Sequence, residues 1–421
     1  MIVAVMMIGM VALLMLGVSV GVSIALAGVV GMLMYTTTSP LLIISQYFVS
    51  LDSFPLIAIP LFILAGNLMD VGGVSMRLIN LSKAMVGHLP GGLAATCVVT
   101  CLIFGALTGS SAGTTFAIGA ILIPAMVAQR YPVGFAAALQ ATSAELAVII
   151  PPSITMIIYG VATNTSISEL FIAGILPGLL IALVLVVTVI IWSMIKGYGT
   201  AEERAPMLPA LKDATLALLL PIIILGGIYG GIFTPTEAAV VAVFYAVLLS
   251  TFVYRTLSLR SFYSILRKST ISTSFIMFTF AAAGFFSSLV EGSGVGQAMV
   301  AWVSENLTTP WMFLLVVNVL LLLVGIFIEP APAIIVLGPL LAPIAVSLGI
   351  DPVHFGIVMT VNLAIGMITP PVGVNLFAAC AVAKISMQKM IAPLMVMLAV
   401  VVATLMVITY VPFFTLGLLG R

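Results

Sequence analysis

Two proline pairs constrain this chain more than any other feature. The stretches Ala147-Val148-Ile149-Ile150-Pro151-Pro152-Ser153 and Gly366-Met367-Ile368-Thr369-Pro370-Pro371-Val372-Gly373 each set Pro-Pro in the middle of a long apolar run. Proline offers no N–H to the carbonyl four residues back, and its ring clashes there. Pro151 and Pro152 therefore free the carbonyls of Ala147 and Val148, and Pro370 and Pro371 free those of Gly366 and Met367. Lipid tails cannot satisfy such groups, so broken backbone must be buried in protein or line a wet cavity. Two breaks in corresponding places point to the binding site of a secondary transporter.

Composition decides the class. Only 6% of the 421 residues are charged and 63% are hydrophobic, with mean hydropathy +1.38, whereas soluble domains carry roughly 25% charged residues. The chain is an all-α polytopic membrane protein. Continuous apolar runs exclude a β-barrel, whose strands alternate in pieces of about 10 residues. A formal net charge of +1 leaves no footprint for nucleic acid. Cys97 and Cys101 have helical i, i+4 spacing inside an apolar segment, which favours packing over a disulfide or metal. The start of the chain lacks a basic n-region and a small-residue cleavage site, so a first span is expected rather than a removable signal.

Spans need about 20 apolar residues each. The run from Ile2 to Tyr35 exceeds one helix, and Gly17 and Gly21 predict a division into two. Asp52-Ser53 predicts a cap opening a third span that ends near Asp70-Val71-Gly72-Gly73. Met76 to His88, with Arg77, Lys83 and His88 among Leu78, Ile79, Leu81 and Met85, predicts an amphipathic interfacial helix. After Pro90 come two short apolar arms around the charge-free cluster Thr108-Gly109-Ser110-Ser111-Ala112-Gly113-Thr114-Thr115. That pattern predicts a re-entrant hairpin, with two short spans as the alternative. A long span from Ile167 to Trp192 follows the first break.

Lys196 to Lys212 reads as the most hydrophilic loop, with Glu202, Glu203, Arg204, Pro206 and Pro209. Two spans then flank Gly226-Gly227 and Gly230-Gly231, whose spacing predicts close helix packing. Thr234-Pro235-Thr236-Glu237 predicts a helix start. Arg255, Arg260, Arg267 and Lys268 form a basic cluster on a separate amphipathic segment, placed on the cytoplasmic side.

The second half then repeats the order hairpin, turn, broken helix and long span, with Ile328-Glu329-Pro330 as its tip and a last span ending near Phe414. This gives inverted repeats and four segments. Residues 1–89 hold N-terminal scaffold helices and an amphipathic arm, and 90–196 the first transport repeat. Residues 197–308 hold a central loop, scaffold helices and the basic arm, and 309–421 the second transport repeat. Repeats of this kind put ligand and ion sites near mid-membrane.

Several motifs carry a family resemblance: Phe54-Pro55-Leu56-Ile57-Ala58-Ile59-Pro60-Leu61, Phe104-Gly105-Ala106-Leu107-Thr108-Gly109-Ser110-Ser111, Gly231-Ile232-Phe233-Thr234-Pro235-Thr236-Glu237-Ala238-Ala239 and both Pro-Pro stretches. Together, in this order, they are similar to the large membrane subunit of tripartite ATP-independent periplasmic (TRAP) transporters. The resemblance implies an elevator-type, sodium-coupled importer of organic anions, usually carboxylates, in the bacterial inner membrane. It implies two partners, a small four-helix membrane subunit (expected as a separate chain) and a periplasmic substrate-binding protein. It implies sodium (Na+) where each hairpin tip meets its break, one site at Gly105, Thr108, Ala147, Ile150 and Pro152, the other at Gly325, Gly366, Thr369 and Val372. Glu145 departs from the small or neutral residues that the family tends to have before the first Pro-Pro.

The candidate substrate residues are Ser110, Ser111, Glu145, Ser153, Glu329 and Asn375. Each also has a plainer reading. Intramembrane carboxylates are functional by default, but Glu145 can instead bond to a neighbouring helix, and Glu329 can cap a half-helix. The tip serines and threonines can satisfy the turn's own backbone, and Asn375 can bridge helices. His88 and His354 are too far apart for a metal centre and fit interfacial positions. Half-helix N-termini, each equivalent to roughly +0.5 charge, can hold a carboxylate where few cations exist. HExxH, GxSxG and Walker patterns are missing, so neither enzyme chemistry nor ATP-driven pumping is expected. The competing function is a stand-alone secondary anion carrier that needs no binding protein.

Overall fold

The computed structural model describes residues 2–35, 41–199, 205–294 and 309–421. Among them every regular element is helical, and nine helices are long and apolar enough to cross a membrane. A tenth candidate is the bent pair Val133–Ile149 and Ile154–Thr163, with 44° between its halves. The fold class expected from composition is the one observed.

The first apolar run divides into Ile2–Met15 and Val20–Tyr35. Gly17 between them takes φ +80°, a left-handed value open to glycine without penalty. Leu41–Leu51 is a helix that the sequence pattern did not predict; it packs on the long helix Leu259–Gly292. The next span opens as expected at 53–55, but through Pro55 in a short 3-10 turn, since Ser53 makes no side-chain cap. It continues as Ala58–Val71. Val74–Val86 is the amphipathic helix, its Leu78, Ile79 and Leu81 buried and the Arg77 guanidinium 3.8 Å above the ring of Tyr254.

These helices form a first group with Met207–Tyr229, Pro235–Leu248 and Leu259–Gly292, which pack on Val74–Val86, Ala58–Val71 and Val20–Tyr35 respectively. The second group holds two hairpins, Gly92–Thr108 with Ser111–Ala128 and Pro310–Phe327 with Pro330–Ser347. It also holds the two broken helices and the long helices Ile167–Lys196 and Gln388–Tyr410. Broken helix 1 runs Val133–Ala144, Leu146–Ile149, then Ile154–Thr163. Broken helix 2 runs Pro352–Gly366, then Val374–Ala383. The repeats exchange parts: Ile154–Thr163 packs on the second hairpin's arm Pro330–Ser347, and Val374–Ala383 packs on the first hairpin's arm Ser111–Ala128.

The helix start at Thr234 is the one expected. Thr234 and Glu237 form a reciprocal capping box, with the Thr234 N–H donating to Glu237 Oε2 at 2.8 Å and the Glu237 N–H donating to Thr234 Oγ1 at 3.3 Å.

Four expectations are corrected. Lys212 lies on the helix Met207–Tyr229, not in a loop; Pro209 falls in that helix's first turn, where a missing N–H breaks nothing. Glu202, Glu203 and Arg204 lie outside the described residues. The basic residues Arg260, Arg267 and Lys268 are not on a separate segment but on the first turns of Leu259–Gly292, which no proline interrupts. Only Arg255 precedes it. Among the described residues a Cβ added to Gly226 would meet nothing within 4 Å, and Gly227 is covered by the ring of Phe233, because Ile232 and Phe233 fold back to donate to the Gly227 carbonyl. His354 is buried, its ring bridging Thr415 Oγ1 at 2.6 Å and the Thr409 carbonyl at 3.1 Å.

Gly105 is packed so that an added Cβ would stand 2.5 Å from Ala147 Cα. Gly105→Ala is therefore expected to destabilise the protein by about 1–3 kcal/mol through overpacking, whereas Gly226→Ala, in open space on a helix, is expected to stabilise it by about 0.5–1 kcal/mol. Thermal unfolding of the two variants in the same detergent checks the contrast.

Candidate functional site

At the first break, Ile150 and Ser153 are extended and the Pro151–Pro152 bond is cis. The Ser153 hydroxyl donates to the Val148 carbonyl at 2.6 Å. One of the two carbonyls freed by the prolines is thus satisfied by a side chain, and Pro151 leaves Ala147 without its helical donor. At the second break the Pro370–Pro371 bond is also cis, and Gly373 takes φ +51°. Here the expectation of stranded carbonyls is corrected. The Thr369 N–H donates to Gly366 O at 2.9 Å and the Asn375 N–H to Met367 O at 3.1 Å. The chain folds back on itself tightly enough to supply these donors, and each carbonyl keeps a second lone pair.

Each hairpin meets the break of its own repeat through glycine. Gly105 faces Ala147 as described above; Gly109, at φ +60°, sits against the Pro152 carbonyl. In the second repeat an added Cβ on Gly325 would lie 2.9 Å from Gly366 Cα, and the Gly373 N–H donates to the Ile326 carbonyl at 3.2 Å. The structure thus brings 105–109 onto 147–152 and 325–326 onto 366–373, the two groupings made from the motifs. Thr108 Oγ1 lies 3.3 Å from the Phe104 carbonyl and 3.2 Å from Thr114 Oγ1. Thr369 Oγ1 donates to the Ile365 carbonyl at 2.9 Å, which leaves its lone pairs to accept. Val372 adjoins Gly373 and is half-buried. Each grouping holds carbonyl and hydroxyl oxygens, the donor types of a hard cation.

The six candidate substrate residues divide. Ser110 and Glu329 face a cavity of about 660 Å³ between the two helix groups, together with Thr108 and Gly113. Ser110 also caps the helix Ser111–Ala128, accepting from the Gly113 N–H at 3.2 Å. Glu329 stands at the N-cap position of Pro330–Ser347 but makes no side-chain cap, so the capping role weighed for it is not the one observed. Ser111, Glu145, Ser153 and Asn375 are buried and do not line that cavity.

Asn375 is a bolt between the repeats. Its Nδ2 donates to Glu145 Oε1 at 2.7 Å and to the Ala141 carbonyl at 3.0 Å, and its Oδ1 accepts from Thr115 Oγ1 at 2.7 Å. Glu145 is 3% exposed.

Sequence reasoning missed the opposite wall of the cavity: Asn67 and Asp70 from Ala58–Val71, and Lys268 from Leu259–Gly292. Their signal was present as spacing. Ile63, Gly66, Asn67 and Asp70 fall on one helical face, as do Lys268, Ile271, Ser272 and Phe275. Asn67 Nδ2 donates to Ser269 Oγ at 3.0 Å, tying the two helices together.

A pair of interlocked repeats, each with a hairpin laid on a broken helix and both bordering one cavity, defines a membrane transport protein. Comparison with known proteins narrows this. Residues 7–414 match the family described as tripartite ATP-independent periplasmic transporter, DctM component, and the chain belongs to that family. It is 42% identical to the C4-dicarboxylate TRAP transporter large permease protein DctM of Pseudomonas aeruginosa, over 94% of this chain and 93% of that one. It is 41% identical to the isethionate TRAP transporter permease protein DctMQ of Oleidesulfovibrio alaskensis, over 95% of this chain and 63% of the longer relative. In fold it is similar to the crystal structure of the YdaH transporter of Alcanivorax borkumensis, with TM-score 0.64, 14% identity, and 88% and 87% of the two chains covered.

Interhelical hydrogen bonds in membrane proteins contribute roughly 0.6 kcal/mol each, so Asn375→Ala, which removes the bonds to Glu145, Ala141 and Thr115, is expected to destabilise by about 2 kcal/mol. A lowered unfolding midpoint, restored in part by Asn375→Gln, is the result that supports the bolt.

Proposed function

We propose that this chain is the large permease of a sodium-coupled importer that takes a small carboxylate-bearing organic anion from a periplasmic binding protein across the bacterial inner membrane. The observation that carries the reading is the pair of matched contacts, Gly105 on Ala147 and Gly325 on Gly366, which bring hairpin tip and broken backbone together twice beside one cavity. In this reading Gly105, Thr108, Ala147, Ile150 and Pro152 hold one sodium ion, and Gly325, Gly366, Thr369 and Val372 hold a second. Bound sodium supplies charge that draws the carbonyls of tip and break together. It thereby fixes the tip residues that face the solute.

The hairpin core moves as an elevator against the first helix group. Ser110 and Glu329 travel with the core, while Asn67, Asp70 and Lys268 stay on the static wall. The polar lining is contributed from both sides, so sliding one side past the other opens and closes the cavity. A small membrane subunit braces the static group. The fused permease named for isethionate supports such a partnership, since the present chain matches only part of its length.

Uptake into proteoliposomes containing the permease and its small subunit tests this. Accumulation is expected to need both an inward sodium gradient and the binding protein. Uptake of free solute without the binding protein would favour the stand-alone carrier, and sodium-independent uptake would end the sodium-coupled reading.

Thr369→Val keeps the shape and removes one hydroxyl oxygen, so half-saturating sodium is expected to rise about tenfold, the equivalent of roughly 1.4 kcal/mol of lost binding. Pro370→Ala restores a backbone N–H where the break requires none and is expected to abolish most transport. Sodium titrations of transport in which both variants behave like the parent would remove the second site.

A further inference from the structure

The charge inside the cavity is at odds with a simple dianion as cargo. Its ionisable lining residues are Asp70, Lys268 and Glu329, two carboxyl groups against one ammonium. Asp70 and Lys268 come from neighbouring helices of the same wall and interact electrostatically. Glu329 comes from the facing wall. An acid at a helix N-terminus ordinarily turns back to the free amides of the first turn. The Glu329 side chain makes no such cap and, among the described residues, no ion pair, so its carboxyl group is left to the cavity. Behind the first tip, buried Glu145 adds a further carboxyl group, which accepts from the Asn375 amide.

The opposite end of a solute is served as well. Ser110 and Gly113 put the N-terminal turn of Ser111–Ala128 at the cavity wall, and first-turn amides with the helix dipole suit a carboxylate. Lys268 faces the same space. A cavity lined by a half-helix N-terminus, a lysine and an uncapped glutamate offers groups to a molecule with both signs. Like charge brought against a desolvated partner is a strong means of rejection.

We infer that the solute carried by this chain is a small zwitterion, a carboxylate with a cationic or N–H-rich nitrogen group, in which Glu329 receives the nitrogen group and the Ser110 tip with Lys268 receives the carboxylate. This rests on the carboxylate importer proposed above and narrows its substrate class.

The test uses the assembled permease and small subunit in proteoliposomes, with the binding protein, a sodium gradient and a whole-cell metabolite extract as the probe. Accumulated compounds are identified by mass spectrometry against a sodium-free control. Compounds bearing both a carboxylate and a basic or N–H-rich nitrogen group support the inference; accumulation of nitrogen-free dicarboxylates overturns it while leaving sodium-coupled import intact. No sodium-dependent accumulation at all overturns the importer reading and this inference with it. For the accumulated compound, Glu329→Gln is expected to weaken apparent affinity about thirtyfold or more, the scale of loss when one partner of a desolvated charge pair is removed. Glu329→Asp should recover most of it. Both variants are first matched to the parent in assembly with the small subunit and in stabilisation by sodium. Parent-like affinity in Glu329→Gln also overturns the assignment.

Discussion

Peptide groups taken out of a helix by a proline pair must find their partners inside the protein, because the surrounding hydrocarbon provides none. Much of the second helix group answers that requirement. Ser153 closes the Val148 carbonyl from within the first break, and Asn375 closes the Met367 carbonyl through its own N–H at the second. The solutions differ chemically, hydroxyl against backbone amide, yet occupy matching places. Each hairpin then covers its break closely, with glycine at the contact so that backbone meets backbone. A helix break in a soluble enzyme could be left to water; here it dictates which elements must touch.

The two breaks are not equally sheltered. Pro151 and Pro152 are buried, whereas Pro370 is half-buried and Pro371 is exposed. The tips differ too. The first turns through a left-handed Gly109 and a capped Ser110, and the second runs extended through Ile328 and Glu329 into Pro330. Equivalent topology therefore presents one neutral tip and one acidic tip to the same cavity. The relatives named for C4-dicarboxylates and for isethionate share the family and not the solute. Cavity residues, rather than the repeat architecture, are where such differences have to reside.

Periodicity and proline placement made the helices, both hairpins and both breaks legible, because these are local properties of the chain. The capping box at Thr234 and Glu237 was legible for the same reason. Asn375 was readable as a polar residue on a half-helix, but nothing local names Glu145, Ala141 and Thr115 as its partners. The static wall of the cavity was harder still. Asp70 looked like the end of a span and Lys268 like part of a basic foot, since each faces the cavity only because its helix packs beside the hairpin tips. Leu41–Leu51 escaped because eleven residues are too few to register as a span.

The exchange of half-helices has a consequence of its own. Ile154–Thr163 rests on the arm Pro330–Ser347 and Val374–Ala383 on Ser111–Ala128, so neither repeat shields its own broken helix completely. A ribosome that has finished only the first repeat has produced a segment with an uncovered kink, which stays incomplete until the second emerges. Maturation of this protein in the bilayer is therefore a late event, settled when the C-terminal half arrives to exchange surfaces with a partner made seconds before.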